Sequence, residues 1–157
     1  MARSVAQSGL IAILVNRRNG LNKHFVIHGG RGMAKRILVI DDEELVTGSL
    51  KKLLKKSGYD VVIAQNSQEA MKSVKENDFD LIVSDIRMAG EGGIEIVKNI
   101  RSYLQEHKKD RIPEMLMTGY ASKDKYQSAV ELKVCAYLNK PFDVKEFLET
   151  VSKILNG

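Results

Sequence analysis

Five short apolar runs alternate with five amphipathic stretches between residues 35 and 157, and this alternation restricts the possible folds more than any other feature. The apolar runs predict strands, because they are short, rich in aliphatic residues and bounded by turn-forming residues. The amphipathic stretches predict helices, because apolar residues recur at intervals of three and four. The strands are expected at residues 36–40, 60–64, 80–84, 112–117 and 134–138, and the helices at 43–57, 67–76, 93–106, 121–132 and 144–155.

Strands that alternate with helices imply a parallel sheet covered by helices on both faces, and right-handed crossovers limit its topology. The sequence therefore predicts a doubly wound (βα)5 fold of the α/β class with a five-stranded parallel sheet. If this sheet is flavodoxin-like, its strand order is 2-1-3-4-5, and strands 1 and 3 are neighbours. Gly58 is expected to end the first helix, and Ser67 to cap the second. Asp143 and Glu146 have the spacing of a capping box at the start of the fifth helix.

Residues 1–34 form a basic leader that differs in composition from the rest of the chain. They contain five basic residues and no acidic one, whereas residues 35–157 balance 20 basic against 20 acidic residues. We expect this leader to be flexible, or to reflect a cloning artefact or an over-extended start, with the domain occupying residues 35–157. The net positive charge then belongs to the leader, and without a recognition motif we do not expect the domain to bind nucleic acid.

The sequence gives little support for a membrane or secretory role. Its apolar run at residues 10–15 is far shorter than the roughly 20 residues that span a bilayer, and the following Asn16-Arg17-Arg18 is a poor signal-peptide cleavage site. Cys135 is the single cysteine of the sequence, so no intramolecular disulfide can form. These features predict a cytoplasmic protein that makes no contact with a membrane.

Polar residues follow four of the predicted strands at the same end. Asp41 and Asp42 follow the first strand, Asp85 the third, Thr118 the fourth and Lys140 the fifth. Ligand sites of open α/β sheets lie beyond the carboxyl ends of the strands, where the strand order reverses. With strands 1 and 3 as neighbours, the three aspartates are predicted to converge, with Thr118 and Lys140 on the same rim.

This set of residues predicts a phosphoryl-acceptor site with a metal ion. Clustered carboxylates at low dielectric repel one another, and burial raises their pKa values. Mg²⁺ removes this conflict, because it prefers oxygen ligands and commonly binds one or two carboxylates together with a phosphate. A carboxylate beside such a cation can accept a phosphoryl group as an aspartyl phosphate. Lys140 and the Thr118 hydroxyl would then hold the added oxygens.

Each residue alone also has a simpler interpretation. An aspartate after a strand can cap the next helix, Thr118 can be a turn residue, and Lys140 can be solvated. Two other classes of protein also fit a doubly wound sheet. An FMN-binding electron carrier would need a phosphate loop rich in glycine or hydroxyls after the first strand, and a phosphatase of the haloacid dehalogenase type would need an Asp-x-Asp loop there.

Four sequence motifs resemble the receiver domain of bacterial response regulators, the CheY-like family, along nearly all of residues 35–157. They are KRILVIDDEE, LIVSDIRM, MTGYAS and AYLNKPF. The resemblance implies that Asp85 accepts the phosphoryl group and that Asp41 and Asp42 form the acidic pair, with Asp42 the direct Mg²⁺ ligand beside Asp85. The backbone carbonyl of Arg87 would be a further ligand.

The same resemblance implies roles for residues later in the chain. Thr118 would be the hydroxyl that senses the phosphoryl group, Lys140 the invariant lysine with a cis bond to Pro141, and Tyr137 the aromatic switch. The phosphoryl group would come from a sensor histidine kinase or a phosphotransfer protein, and a downstream protein would bind the face of helix 4, strand 5 and helix 5. The domain would be no enzyme beyond assisting its own phosphorylation and dephosphorylation, and no output domain is expected. The alternative function is a receiver-like binding module that does not signal by phosphorylation.

The loop after Asp85 departs from the family pattern. Ala89 stands where the family usually has proline, and Gly92 where it usually has aspartate, so the loop should be looser. Arg87 lies where it would affect the access of water to the phosphoryl group, and Val134 stands where a small residue is common. None of these departures removes a predicted ligand.

Overall fold

The computed structural model describes residues 33–119 and 123–157 and three short strands nearer the N-terminus, with side chains at 33–119 and 126–157. The chain divides into two compact units, Met1–Ala34 and Lys35–Gly157. The described residues of the first unit form an antiparallel sheet whose strands are β1 (Ala6–Gln7), β2 (Leu10–Ala12) and β3 (Val26–Ile27), in that order. Apart from Met33 and Ala34, the rest of the leader lies outside the described residues, and its flexible or artefactual nature stays a prediction.

The second unit confirms the predicted α/β fold. All of its strands are parallel, and they lie side by side in the predicted order 2-1-3-4-5. The strands are β4 (Arg36–Ile40), β5 (Asp60–Ala64), β6 (Leu81–Asp85), β7 (Glu114–Thr118) and β8 (Ala136–Asn139). The helices are α1 (Glu44–Lys56), α2 (Ser67–Glu76), α3 (Gly93–Glu106), α4 (Lys123–Glu131) and α5 (Val144–Asn156).

The sheet separates two apolar layers, because successive side chains of a strand point to opposite faces. Ile37 and Val39 of β4 pack in the layer that contains residues of α1 and α5. Leu38 and Ile40 pack in the layer that contains residues of α2 and α3. Each fully buried aliphatic side chain contributes about 1.5–3 kcal/mol to folding. Both faces of β4 are therefore occupied by the core, and its polar residues lie beyond the end of the strand.

The last two strands begin two residues later than the sequence predicts. Apolar character alone extended the predictions to Ile112 and Val134, whereas β7 begins at Glu114 and β8 at Ala136. Val134 belongs instead to the turn after α4, where Lys133 has a φ of +50°. The departure from the family pattern at Val134 thus coincides with an unusual backbone conformation one residue earlier.

The helix ends are stabilised by local hydrogen bonds. Gly58 ends α1 as predicted, with a φ of +91°, and the Tyr59 amide closes the turn on the Leu54 carbonyl at 3.1 Å. The prediction that Ser67 caps α2 is wrong, because Asn66 has the extended backbone of a cap and its Oδ1 accepts from the Glu69 amide at 2.9 Å.

The fifth helix is capped by the residue that the sequence predicts but through a different bond. Asp143 Oδ1 accepts from the Lys145 amide at 2.9 Å, one residue earlier than in a capping box. The predicted capping box with Glu146 is therefore replaced by a simple aspartate cap.

Candidate functional site

Asp85 lies at the carboxyl end of β6, the central strand of the sheet. Every residue of β6 is buried, and Asp85 retains 4% of its surface. Its Oδ1 accepts from the Arg87 amide at 3.3 Å, and its Oδ2 accepts from Lys140 Nζ at 3.2 Å. The strand therefore delivers one carboxylate, with a fixed orientation, to the rim of the sheet.

Asp41 follows the neighbouring strand β4 and is fully buried. Its Oδ1 accepts from the Glu43 amide at 3.0 Å, and its Oδ2 accepts from Lys140 Nζ at 3.3 Å. Burial raises the pKa of Asp41, and the negative charge of Asp85 raises it further, while the Glu43 amide and the Lys140 ammonium act in the opposite direction. The two aspartates therefore share the ammonium of Lys140.

Lys140 links the two carboxylates from the loop after β8. Its amide donates to the Thr118 carbonyl at 2.7 Å, and its peptide bond to Pro141 is cis, as the resemblance implies. Burial opposes protonation of the ammonium, but the charges of Asp41 and Asp85 outweigh that effect and raise its pKa. Lys140 is thus a half-buried cation between two acids and not a solvated surface lysine.

The simpler interpretation of the aspartates as helix caps is also wrong. The N-cap residue of α1 is Glu43, and that of α3 is Gly92. Asp41 and Asp85 each use one carboxylate oxygen on an amide two residues later and the other on Lys140. Their side chains therefore serve the rim of the sheet rather than a helix end.

Asp42 is placed differently from the other two acids. It is exposed, and its Oδ2 accepts from the Ala89 amide at 2.9 Å, in the loop between β6 and α3. Among the described residues, no three Asp, Glu, His or Cys side chains are grouped so as to hold a metal ion. The predicted roles of Asp42 and of the Arg87 carbonyl as ligands stay predictions.

Thr118 lies at the end of β7, beside β6 in the sheet, and retains 4% of its surface. Its hydroxyl oxygen is buried and has no hydrogen-bond partner among the described residues. A buried hydroxyl without a protein partner is rare and calls for an explanation. The site therefore contains a hydroxyl that could bind an added oxygen on the same rim as Lys140.

Tyr137 lies in the middle of β8 and is half-buried. Its hydroxyl donates to the Ala129 carbonyl in α4, and its ring lies 6.3 Å from that of Tyr126, centre to centre. Burial raises the pKa of the Tyr137 phenol. The predicted switch residue is therefore bonded directly to the helix that it is predicted to influence.

A second buried ionic cluster, which the sequence did not reveal, lies at the amino end of β7. Glu114 is 1% exposed, and Arg101 binds both of its oxygens, at 2.8 and 2.9 Å. Arg111 donates to the same carboxylate at 3.0 Å, and Arg101 also donates to the Leu132 carbonyl at 2.8 Å. The hydrogen bonds to Glu114 raise the pKa of Arg101, so this cluster ties α3 and β7 to the end of α4.

The sequence model of the response regulator receiver domain matches residues 37–152. The chain belongs to the receiver domain family of response regulators. Its fold and the motifs around Asp41, Asp85 and Lys140 are those that the resemblance implied.

Named relatives agree with this assignment. The receiver domain is 38% identical over 119 residues to the transcriptional regulatory protein ZraR of Klebsiella oxytoca. The aligned residues cover 76% of this chain and 26% of that protein. It is 35% identical over 123 residues to the alkaline phosphatase synthesis transcriptional regulatory protein PhoP of Bacillus subtilis. Here the aligned residues cover 78% of this chain and 49% of that protein. The chain thus spans between a quarter and a half of the length of these relatives.

Solved structures show the same architecture. The chemotaxis protein CheY4 of Vibrio cholerae superposes with a TM-score of 0.70 at 28% identity, over 78% of this chain and 99% of that one. A CheY-like receiver domain protein of Methanospirillum hungatei gives a TM-score of 0.70 at 27% identity, over 78% and 94%. In the described part of the receiver domain chain, no helix is long and apolar enough to cross a membrane.

Proposed function

We propose that this receiver domain accepts a phosphoryl group on Asp85 from a phosphohistidine of a sensor histidine kinase or phosphotransfer protein. The observation that carries the proposal is the ammonium of Lys140, within 3.3 Å of both Asp41 and Asp85 at the rim of the sheet. In the transfer, an Asp85 oxygen bonds to phosphorus while the bond between phosphorus and the donor nitrogen breaks. The imidazole keeps the electron pair, and the product is an acyl phosphate.

The donor set fits a hard divalent cation. Asp41, Asp42 and Asp85 bring three negative charges and Lys140 one positive charge, and all of the candidate ligands are oxygens, as Mg²⁺ requires. Asp42, Asp85 and the Arg87 carbonyl would hold the cation, with Asp41 beside them. When bound, Mg²⁺ supplies the positive charge that allows an anionic phosphoryl group to lie next to a carboxylate.

Lys140 and Thr118 would bind the oxygens that the transfer adds to Asp85. The ammonium already contacts the carboxylate that receives the group, and the Thr118 hydroxyl is buried without a described partner. A phosphoryl group carries about −1.5 to −2 charges and several strong acceptor oxygens. Lys140 would therefore turn from the two acids toward the phosphoryl group, and Thr118 would gain a hydrogen-bond partner.

Movement of Thr118 would be passed to Tyr137 on the next strand, since β7 and β8 are paired along their length. Loss of the bond from Tyr137 to the Ala129 carbonyl would change how α4 lies against β8. The face of α4, β8 and α5 exposes Tyr126, Val130 and Val144, which suits a downstream protein partner. On this proposal the domain works in the cytoplasm as a switch, and it catalyses no reaction other than its own phosphorylation and dephosphorylation.

Acetyl phosphate with Mg²⁺ tests the proposal without knowledge of the kinase. Intact-protein mass spectrometry should show one added phosphoryl group on the parent protein and on the control Asp78→Asn, whose exposed carboxylate lies away from the site. Asp85→Asn should show none. If the parent protein stays unmodified, the alternative of a binding module that does not use phosphorylation is favoured. If Asp85→Asn is modified equally, Asp85 is not the acceptor.

A further inference from the structure

One hydrogen bond joins the two loops from which the cation ligands are expected. Asp42, after β4, accepts at Oδ2 from the amide of Ala89, 47 residues later, at 2.9 Å. The bond depends on a backbone N–H at position 89, which proline would lack. The residue that departs from the family pattern in this loop is thus the residue that contacts the predicted direct ligand of the cation.

Asp42 has a different hydrogen-bond partner from the other two acids. Asp41 and Asp85 both contact Lys140, at 3.3 and 3.2 Å, and so lie close to each other. Within the described residues these acids do not combine with a third acidic side chain into a metal-binding group. Asp42 is the remaining acid of the predicted set, and its Oδ2 accepts a hydrogen bond from the loop.

We propose that the Ala89 amide competes with the divalent cation for the Asp42 carboxylate, so that cation binding and release of the loop 86–92 are linked. The inference rests on the proposed function, because the cation site is part of it. This linkage is reciprocal. The free energy by which the amide weakens cation binding equals the free energy by which the bound cation weakens the hydrogen bond between Ala89 and Asp42.

The loop can release Asp42 without disturbing β6 before it or α3 after it. Its two ends are joined by the Gly93 amide, which donates to the Ile86 carbonyl at 3.2 Å. Between them, Gly90 has a φ of +78°, a conformation that glycine adopts without strain. Movement of Ala89 can therefore be absorbed between fixed ends.

The magnitude follows from the strength of one exposed hydrogen bond. A bond from a neutral donor to a carboxylate stabilises by more than an average one, but Asp42 is exposed and water competes for it. Removing the amide should tighten Mg²⁺ binding roughly three- to tenfold.

Two substitutions at Ala89 test the role of the N–H group. Ala89→Pro removes the donor, whereas Ala89→Gly keeps the donor and makes the loop more flexible than in the parent protein. Isothermal titration with Mg²⁺ should give a dissociation constant roughly three- to tenfold lower for Ala89→Pro than for Ala89→Gly. Equal affinities, or weaker binding by Ala89→Pro, would overturn the inference.

A measurement on the parent protein covers the case in which Ala89→Pro does not fold. By NMR, saturating Mg²⁺ should speed hydrogen exchange of the Ala89 amide severalfold and leave the Glu43 amide, which donates to Asp41, nearly unchanged. Slower or unchanged exchange at Ala89 would contradict the competition. If the parent protein binds no Mg²⁺ at all, the proposed function fails as well, whereas binding without release of Ala89 overturns this inference alone.

Discussion

Lys140 Nζ lies 3.2 Å from Asp85 Oδ2, although 55 residues separate the two along the chain. The same ammonium contacts Asp41, so Lys140→Met would leave two buried carboxylates without their shared cation. We expect the free energy of unfolding at pH 7 to fall by about 1–3 kcal/mol, measured by urea denaturation without Mg²⁺. Lys145→Met, on a side chain that is 79% exposed, should change it by less than about 0.5 kcal/mol. Equal effects would mean that the site gains nothing from Lys140.

Gly93 allows α3 to begin against the end of β6. A Cβ at this position would overlap the Asp85 carbonyl oxygen and lie 2.8 Å from Ser84 Oγ. Gly93→Ala should therefore destabilise the domain by about 1–3 kcal/mol and slow phosphorylation by acetyl phosphate, because Asp85 must shift. Urea denaturation and the initial rate of phosphorylation measure the two effects.

Gly48 provides the matched control for that substitution. It lies in α1, where a Cβ would meet no described atom within 4 Å, and alanine is the better helix former. Gly48→Ala should stabilise the domain by about 0.5–1 kcal/mol and leave the phosphorylation rate unchanged. A loss of stability at Gly48 would contradict the helical environment assigned to it.

The Glu114 cluster should contribute far more than the surface ion pairs. Arg101→Met leaves a nearly fully buried carboxylate with Arg111 as its remaining partner, so we expect a loss of about 2–4 kcal/mol in the free energy of unfolding. Lys35→Met removes an exposed pair with Asp80 at 3.5 Å and should cost less than about 0.5 kcal/mol. Thermal and urea denaturation of the two variants measure these losses. Similar losses in the free energy of unfolding would contradict the prediction.

Asp60 should contribute to the acid sensitivity of the fold. The hydrogen bond from Arg36, at 2.7 Å, lowers the pKa of this carboxyl, so the folded state holds its proton less tightly than the unfolded chain. The stabilisation is therefore present above the unfolded pKa of about 3.9 and is lost as the pH falls through the folded value. Asp60→Asn should make the fall in stability between about pH 5 and pH 2 less steep. The effect should be small, because the side chain is partly exposed. A profile as steep as that of the parent protein would argue against the bond.

The parallel sheet and the position of Asp41, Asp85 and Lys140 at one rim could be predicted because both follow from local signals, whereas the strand order does not. Apolar periodicity fixes the elements, and a parallel sheet then places the residues after its strands at one rim. The start of β7 could not be predicted in this way, because Ile112 is as apolar as a strand residue and the pairing begins only at Glu114.

Contacts that depend on backbone groups could not be predicted from the sequence. Every residue except proline has a backbone N–H, so the identity of residue 89 does not predict the hydrogen bond from its amide to Asp42. The cap of α2 was misplaced by one residue for a related reason, since Asn66 and Ser67 are both good caps and only the extended backbone of Asn66 decides between them. The partners of Glu114 lie on α3 and in a loop, and no local pattern connects them.

All of the proposed phosphorylation chemistry takes place where the parallel strands finish, and the turns that lead into those strands lie at the far pole of the domain. Asp78, with its fully exposed side chain, lies in one of these turns, just before β6. A spectroscopic probe or an affinity handle attached there would leave the reacting groups untouched, so the far pole is the natural place from which to label or immobilise the molecule while its signalling end stays open.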